Sequence, residues 1–213
     1  MRTKEDMRLR AEGPKPGDMG GDPSRGDADP LNEFARMINM HDWDDTSPKW
    51  EKDARLVRTA AGLVGDKVLL CQTMIYFKPP GARGQALHQD NQYLRKYPLV
   101  AAWVALDDCD QDNGQLVMVP RSHEQGILPV RRADTAVSFT NGESVLPPGL
   151  REVGIEMKAG DVIFFGGFTI HGSHPNRTTD RFRRSLSFHY YAAHTQELPR
   201  DPATMMSELA GAA

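Results

Sequence analysis

The sequence is short of most features that mark a secreted, membrane-bound or nucleic-acid-binding protein. Its 213 residues include only two cysteines, Cys71 and Cys109, in no CxxC or Cys/His arrangement. Two lone cysteines build neither a disulfide framework nor a zinc knot, and they read as buried thiols in a reducing cytoplasm. Charge of neither sign dominates: 26 Lys and Arg stand against 29 Asp and Glu, a formal net charge of −3. Binding a phosphate backbone takes a basic excess, so nucleic acid is excluded as a partner. Long apolar runs are missing as well. The longest, Leu99 to Leu106, is far below the ~20 residues that cross a bilayer, which excludes a membrane-spanning helix. The N-terminus lacks the apolar stretch of a secretory signal.

What is present suits one globular domain with a sizeable core. The first thirty residues contain 13 charged residues, five Gly and four Pro, with few aliphatic side chains. Such a segment buries too little apolar area to offset its ordering entropy, so residues 1–30 are expected to form a flexible arm. Its Arg25-Gly26-Asp27 is a chance tripeptide. A single domain is expected over 31–213, with a helical lead-in at 31–65, a β core over about 66–192 and a tail at 193–213.

Within the lead-in, Leu31, Phe34, Met37 and Ile38 recur at helical spacing. A second helix is expected from Pro48 to Gly62, with Trp50, Ala54, Val57 and Ala61 on one face. After Asp66 the pattern changes to short β runs: Lys67–Phe77, Leu99–Leu106, Gln115–Val119, Val162–Phe165 and Arg184–Tyr191. Gly, Pro, Asn and Asp clusters separate them, and no helical pattern intervenes. Leading helices followed by many short strands predict an all-β sandwich or barrel backed by helices. The stretch Arg131–Leu150 reads as a long connection, functional or mobile.

The chemistry-bearing residues begin at His88-Gln89-Asp90. In an extended segment, residues i and i+2 point the same way, so His88 and Asp90 can hold one metal ion. His171, after the apolar run Val162–Phe165, offers a third ligand. Two His and one Asp on one face of an ion leave positions open for a cosubstrate and O₂, the arrangement of non-haem Fe(II) oxygenases. Zinc more often takes a fourth protein ligand or a single water. Arg181, Arg183 and Arg184 follow His171, and a guanidinium fork beside a metal suits a dicarboxylate cosubstrate. If a strand starts near Arg183, then Arg183, Ser185, Ser187 and His189 share a polar face that suits a barrel interior. Arg184, Leu186, Phe188 and Tyr190 then share a largely apolar face that packs against helices or the opposite sheet. Gln72, Met74 and Tyr76 likewise share one strand face, expected to look inward. His174 reads as a rim residue, His123 and Asn113-Gly114 as turns, His189 and His194 as hydrogen-bonded structure, and His41 as surface or helix end. Trp103, inside its apolar run, is explained by core packing alone.

These fragments, in this order, resemble the phytanoyl-CoA dioxygenase family. The likeness rests on Lys78-Pro79-Pro80 and His88-Gln89-Asp90, on Ala102-Trp103-Val104 and Asn113-Gly114-Gln115, on Pro120-Arg121-Ser122-His123, on His171-Gly172-Ser173, and on Arg183-Arg184-Ser185. It covers roughly Cys71 to Tyr191. The resemblance implies a double-stranded β-helix, a cupin-like jelly roll, with N-terminal helices packed on its outside. It implies an Fe(II)- and 2-oxoglutarate-dependent dioxygenase that uses O₂ to hydroxylate a small-molecule substrate, releasing succinate and CO₂. Carried over by position, it makes His88, Asp90 and His171 the iron ligands. Arg183 becomes the 2-oxoglutarate clamp, Ser173 its neighbour, and Met74 and Trp103 further lining. Arg181 remains the rival clamp, because Arg183 lies twelve residues beyond His171. The leading region carries no segment matching a CoA pocket, and the substrate stays open among lipids, amino acids, phosphonates and natural products. With Asp90 filling its ligand position, hydroxylation is favoured over halogenation. Two other readings compete: a metal-binding jelly roll without oxygenase activity, such as a zinc-bound small-molecule binder or isomerase, and a regulatory interaction protein that retains the fold.

Overall fold

The computed structural model describes residues 18–19, 36–42 and 47–198. Leu31, Phe34 and nearly all of the expected arm and tail lie outside these. Two sheets face each other. The larger has six strands in the order β1 (Asp18–Met19), β2 (Arg36–Ile38), β3 (Val68–Tyr76), β12 (Ser185–Glu197), β5 (Lys96–Ala105) and β10 (Val162–Gly166). The smaller has four, in the order β4 (Gln85–His88), β11 (His171–Ser173), β6 (Leu116–Met118) and β9 (Val153–Ile155). A separate hairpin pairs β7 (Val130–Arg132) with β8 (Gly142–Ser144). Every ladder within these sheets is antiparallel, and the arrangement is the jelly roll anticipated from the sequence.

Strict alternation on β5 builds two cores. Ala101, Trp103 and Ala105 point between the sheets and join Leu116, Met118 and Phe165. Val100 and Ala102 point outward, where they join Leu186, Phe188 and Tyr190 of β12 beneath the helices. The other face of β12 carries Ser185, Ser187 and His189, all buried. A row of polar side chains is costly in a dry core, so this face can be buried only where a cavity or partners receive it.

The helical lead-in differs from expectation in two ways. Met37 and Ile38 sit on a strand, β2, which pairs with β3 at Met37↔Ile75 and Ile38↔Met74; ladder pairing overrides the helical spacing of a few apolar residues. The single helix expected over 48–62 is two, α1 (Ser47–Glu51) and α2 (Ala54–Val64). Asp53 causes the break, because its Oδ1 accepts from the Arg55 N–H at 2.9 Å and caps α2 afresh. Gly62 lies inside α2, and Gly65, at φ 74°, takes the left-handed position that ends it. The Tyr190 hydroxyl donates to the Glu51 carbonyl at 2.7 Å and so pins α1 to β12. Tyr190→Phe is expected to cost about 1 kcal/mol of stability in urea unfolding, with cosubstrate binding unaltered.

Two further boundaries move, and one burial differs. β12 runs to Glu197, so the strand continues through the first residues of the expected tail. The connection at 131–150 carries most of the β7–β8 hairpin, and Ser138 within it accepts from the Ala86 N–H at 2.9 Å beside β4. Cys71 is half-buried, not buried; it lies where β12 steps from Gln72 to Leu70 in its pairing with β3. Cys109 is buried, and both thiols are free.

Candidate metal centre

β4 and β11 are neighbours, and their register sets His171 directly opposite His88. Their imidazole centroids stand 4.2 Å apart. Asp90 opens the 3-10 turn that follows β4. Between them the fully buried Gln89 points the other way, donating to the carbonyls of Gly126 and Phe168 at 2.7 Å each and accepting from the Leu128 N–H at 2.8 Å. This clamp holds the strand end extended, so that His88 and Asp90 share a side. One ligand atom from each of His88, Asp90 and His171 lies within 4.8 Å of the others, and all three residues are buried.

Both ring tautomers suit a metal. His88 Nδ1 lies 2.9 Å from the Ala86 carbonyl and His171 Nδ1 3.0 Å from that of Thr169, and an acceptor there fixes the proton on Nδ1 and leaves Nε2 as a lone pair. At His88 the Gln85 amide points to that lone pair from 3.2 Å. Burial, then the adjacent His171, pushes the His88 imidazole down to about 3, so it is neutral at physiological pH. Burial pushes the Asp90 carboxyl up, but His171 and His189, with His88, outweigh it and hold the group below its ordinary range. Asp90 Oδ2 is buried without a well-aligned hydrogen bond, although His189 Nε2 lies 3.3 Å away. A neutral His88 imidazole, an ionised carboxylate and a buried carboxylate oxygen left without a well-aligned donor fit a divalent cation better than a hydrogen-bonded core.

The ligands border a cavity of about 320 Å³ between the sheets, lined also by Met74, Trp103, Ser173 and Arg183. The three arginines separate cleanly. Arg181 pairs with Asp110 through two contacts, at 2.6 and 3.1 Å, on the outside. Arg184 pairs with Asp107 at 2.8 and 2.6 Å. Arg183 is 2% exposed and has no salt bridge among the described residues. Its Nε donates to the Gly114 carbonyl at 3.1 Å and one terminal nitrogen to Ser185 Oγ at 2.8 Å. The guanidinium lies 5.3 Å from the Trp103 ring, and among the described residues its side chain has no acceptor beyond Gly114 and Ser185. Gly114, at φ 85°, lets the 174–176 segment and Lys78 pack close by, since a Cβ there would sit 2.6 Å from the His174 carbonyl oxygen and 3.0 Å from Lys78 Cδ.

A family model described as Phytanoyl-CoA dioxygenase (PhyH) matches residues 6–185. The chain belongs to the phytanoyl-CoA dioxygenase family. It is 31% identical over 146 residues to the peroxisomal phytanoyl-CoA dioxygenase of Rattus norvegicus, an overlap of 64% of this chain and 43% of that protein. The chain thus spans about half the length of the curated relatives it matches. AviO1 from Streptomyces viridochromogenes Tue57 shares the fold at a TM-score of 0.67 and 25% identity, over 92% of this chain and 82% of that one. So does the epimerase SnoN, solved in complex with Fe3+, alpha ketoglutarate and nogalamycin RO, at 0.67 and 22%, over 94% and 77%.

In this member of the phytanoyl-CoA dioxygenase family, Gln72, Met74 and Tyr76 all border the cavity, as their shared strand face predicts. His174 is on the rim, 3.1 Å from Glu152, and His194 pairs with Asp66 at 2.7 Å on the surface. His41 reaches Thr73 at 2.9 Å beside the 3-10 turn Met40–Asp42. Three residues bear on the site more than their sequence context suggests. His189, expected to be structural, faces the cavity with Nε2 3.3 Å from Asp90 Oδ2. Arg36 lines the cavity from the three-residue β2, its guanidinium 5.9 Å from the Tyr76 ring and 5.0 Å from that of Phe139. Lys78, prominent in sequence only as the start of a Pro-Pro break, is buried behind Ser173. Among the described residues no helix is long and apolar enough to cross a membrane.

Proposed function

We propose that the chain is an Fe(II)- and 2-oxoglutarate-dependent dioxygenase that hydroxylates a small-molecule substrate, with succinate and CO₂ as co-products. The observation that carries this reading is the burial, in one cavity, of a three-residue metal set and an arginine with no carboxylate partner among the described residues. Neither a zinc-bound binder nor a regulatory protein that merely keeps the fold has a use for that combination. The names of the relatives agree with it: a dioxygenase in the rat, and a SnoN complex with Fe3+ and alpha ketoglutarate.

Iron, when bound, supplies O₂ activation for the oxidative decarboxylation of 2-oxoglutarate and the oxidation of a substrate C–H bond. The chain's own residues do the holding. His88 and His171 would hold the iron through Nε2 and Asp90 through a carboxylate oxygen, all three at the border of the cavity. Arg183 pairs in a bidentate manner with the distal carboxylate of 2-oxoglutarate, and Ser173 stands beside it. Met74 and Trp103 form walls, with Leu116 and Phe165, that keep water from the reacting atoms. At about 320 Å³ the cavity is at the small end of ligand pockets, which suits a compact substrate. Free thiols support a cytoplasmic setting.

Reconstitution with Fe(II) under anaerobic conditions, followed by O₂, 2-oxoglutarate and a panel of metabolites, tests the proposal. Succinate should appear only with iron, and one class of substrate should increase it. A product one oxygen heavier marks hydroxylation; an isomer of equal mass would assign epimerisation, as in SnoN's name. Iron bound with no succinate formed from any substrate would overturn the proposal.

A further inference from the structure

Lys78 is 4% exposed, a lysine almost wholly removed from water. No carboxylate among the described residues pairs with it. Its Nζ donates instead to Ser173 Oγ at 2.8 Å and to the His174 carbonyl at 2.5 Å. Its own carbonyl accepts from the Arg183 N–H at 3.1 Å and from Asn176 Nδ2 at 3.2 Å. The backbone at Lys78 is turned to φ 26°, where L-residues rarely sit, and the residue before a proline is normally extended. Both ends of this one residue thus reach the two groups that face the distal end of the cavity.

We propose that Lys78 is a positioning residue for the cosubstrate, setting the Ser173 hydroxyl as a donor and Arg183 as a clamp for the distal carboxylate of 2-oxoglutarate. The inference rests on the function proposed above and deepens it. Ser173 Oγ receives two hydrogen bonds, from Lys78 Nζ and from the Gln85 N–H at 3.3 Å. A hydroxyl has two lone pairs and one proton. With both lone pairs engaged, the proton must point elsewhere, and Ser173 borders the cavity. A carboxylate can only accept, so a hydroxyl locked as a donor is the form it needs. Charge works the same way. Burial, then the nearby Arg183, pushes the Lys78 ammonium well below its ordinary range, so positive charge on Lys78 beside Arg183 is costly until an anion arrives. A dicarboxylate that reaches Arg183 and Ser173 relieves that strain; a ligand without the distal carboxylate does not.

The test compares two 2-oxo acids on the Fe(II) protein without O₂: 2-oxoglutarate, and 2-oxopentanoate, which has the same carbon chain without the distal carboxylate. Binding is read from the metal-to-ligand charge-transfer absorption and Fe(II) content from a chelator assay. Wild type should prefer 2-oxoglutarate. Lys78→Met should weaken 2-oxoglutarate roughly 10- to 100-fold, the worth of a charged hydrogen bond, while leaving 2-oxopentanoate and iron binding unchanged. Ser173→Ala should show the same selective loss, and adding Lys78→Met to it should cost less than Lys78→Met alone. If Lys78→Met does not fold, Ser173→Ala and Lys78→Gln carry the comparison. Unchanged 2-oxoglutarate affinity in the lysine variants, or equal loss of both acids, would overturn the positioning role while wild-type selectivity leaves the function standing. Wild type that binds neither acid, or does not distinguish them, would overturn the functional reading and this inference with it.

Discussion

Replacing any one of His88, Asp90 and His171 by alanine is expected to abolish turnover and to weaken Fe(II) binding by more than roughly 100-fold, beyond what loss of an outer hydrogen bond to a ligand costs. The geometry explains why no neighbour substitutes. The three ligand atoms lie within 4.8 Å of one another, and this is the one such group among the described residues. His174 is the control. Its ring lies outside, 3.1 Å from Glu152, so His174→Ala should retain iron and most activity. Metal content after anaerobic loading and desalting decides the matter. Iron retained by His171→Ala and lost by His174→Ala would reverse the assignment.

The second large effect concerns Arg183. Arg183→Leu should raise the 2-oxoglutarate requirement by roughly 30- to several-thousand-fold, from about 2–5 kcal/mol for losing one partner of a desolvated charge pair, while iron still binds. Burial works against the guanidinium's charge, and among the described residues no carboxylate forms a salt bridge with it, Asp107 acting only at longer range, so an incoming carboxylate meets a cation with its partner position free. Arg183→Lys should recover only part, because an ammonium cannot form the planar two-point contact. Arg181→Leu and Arg184→Leu should change the requirement little, since their guanidinium groups are engaged by Asp110 and Asp107. A 2-oxoglutarate titration of the three Leu variants separates these outcomes, and failure of Arg181→Leu alone would shift the clamp to Arg181.

What was legible in the sequence followed from pattern length. β12 could be read residue by residue, because its faces differ sharply in polarity: Ser185, Ser187 and His189 against Leu186, Phe188 and Tyr190. β5 could be read because eight apolar residues in a row leave no other element. The strands that carry the ligands could not. β4 and β11 span four and three residues, and His171-Gly172-Ser173 alternates in nothing. Their pairing is a product of tertiary structure, with Gln89 and the turn at Asp90 fixing where β4 ends. β2 was illegible for the opposite reason: Met37 and Ile38 fit a helical spacing that pairing with β3 overrides. In the site, the converging set was visible as His-x-Asp plus a later His, since spacing on a strand dictates direction. Arg36 and Lys78 were not visible as site residues. Each approaches from a segment whose local pattern says nothing about the cavity, and only the packed sheets bring them to it.

The most direct test of the account is an anaerobic titration of the Fe(II)-loaded wild-type chain with 2-oxoglutarate, following the metal-to-ligand charge-transfer absorption, with Arg183→Leu titrated alongside. The account predicts an absorption that saturates at one 2-oxoglutarate per iron in wild type, and that requires far higher concentrations in Arg183→Leu at equal iron content. Iron-loaded wild type with no such absorption, or the same titration curve for both proteins, would contradict it.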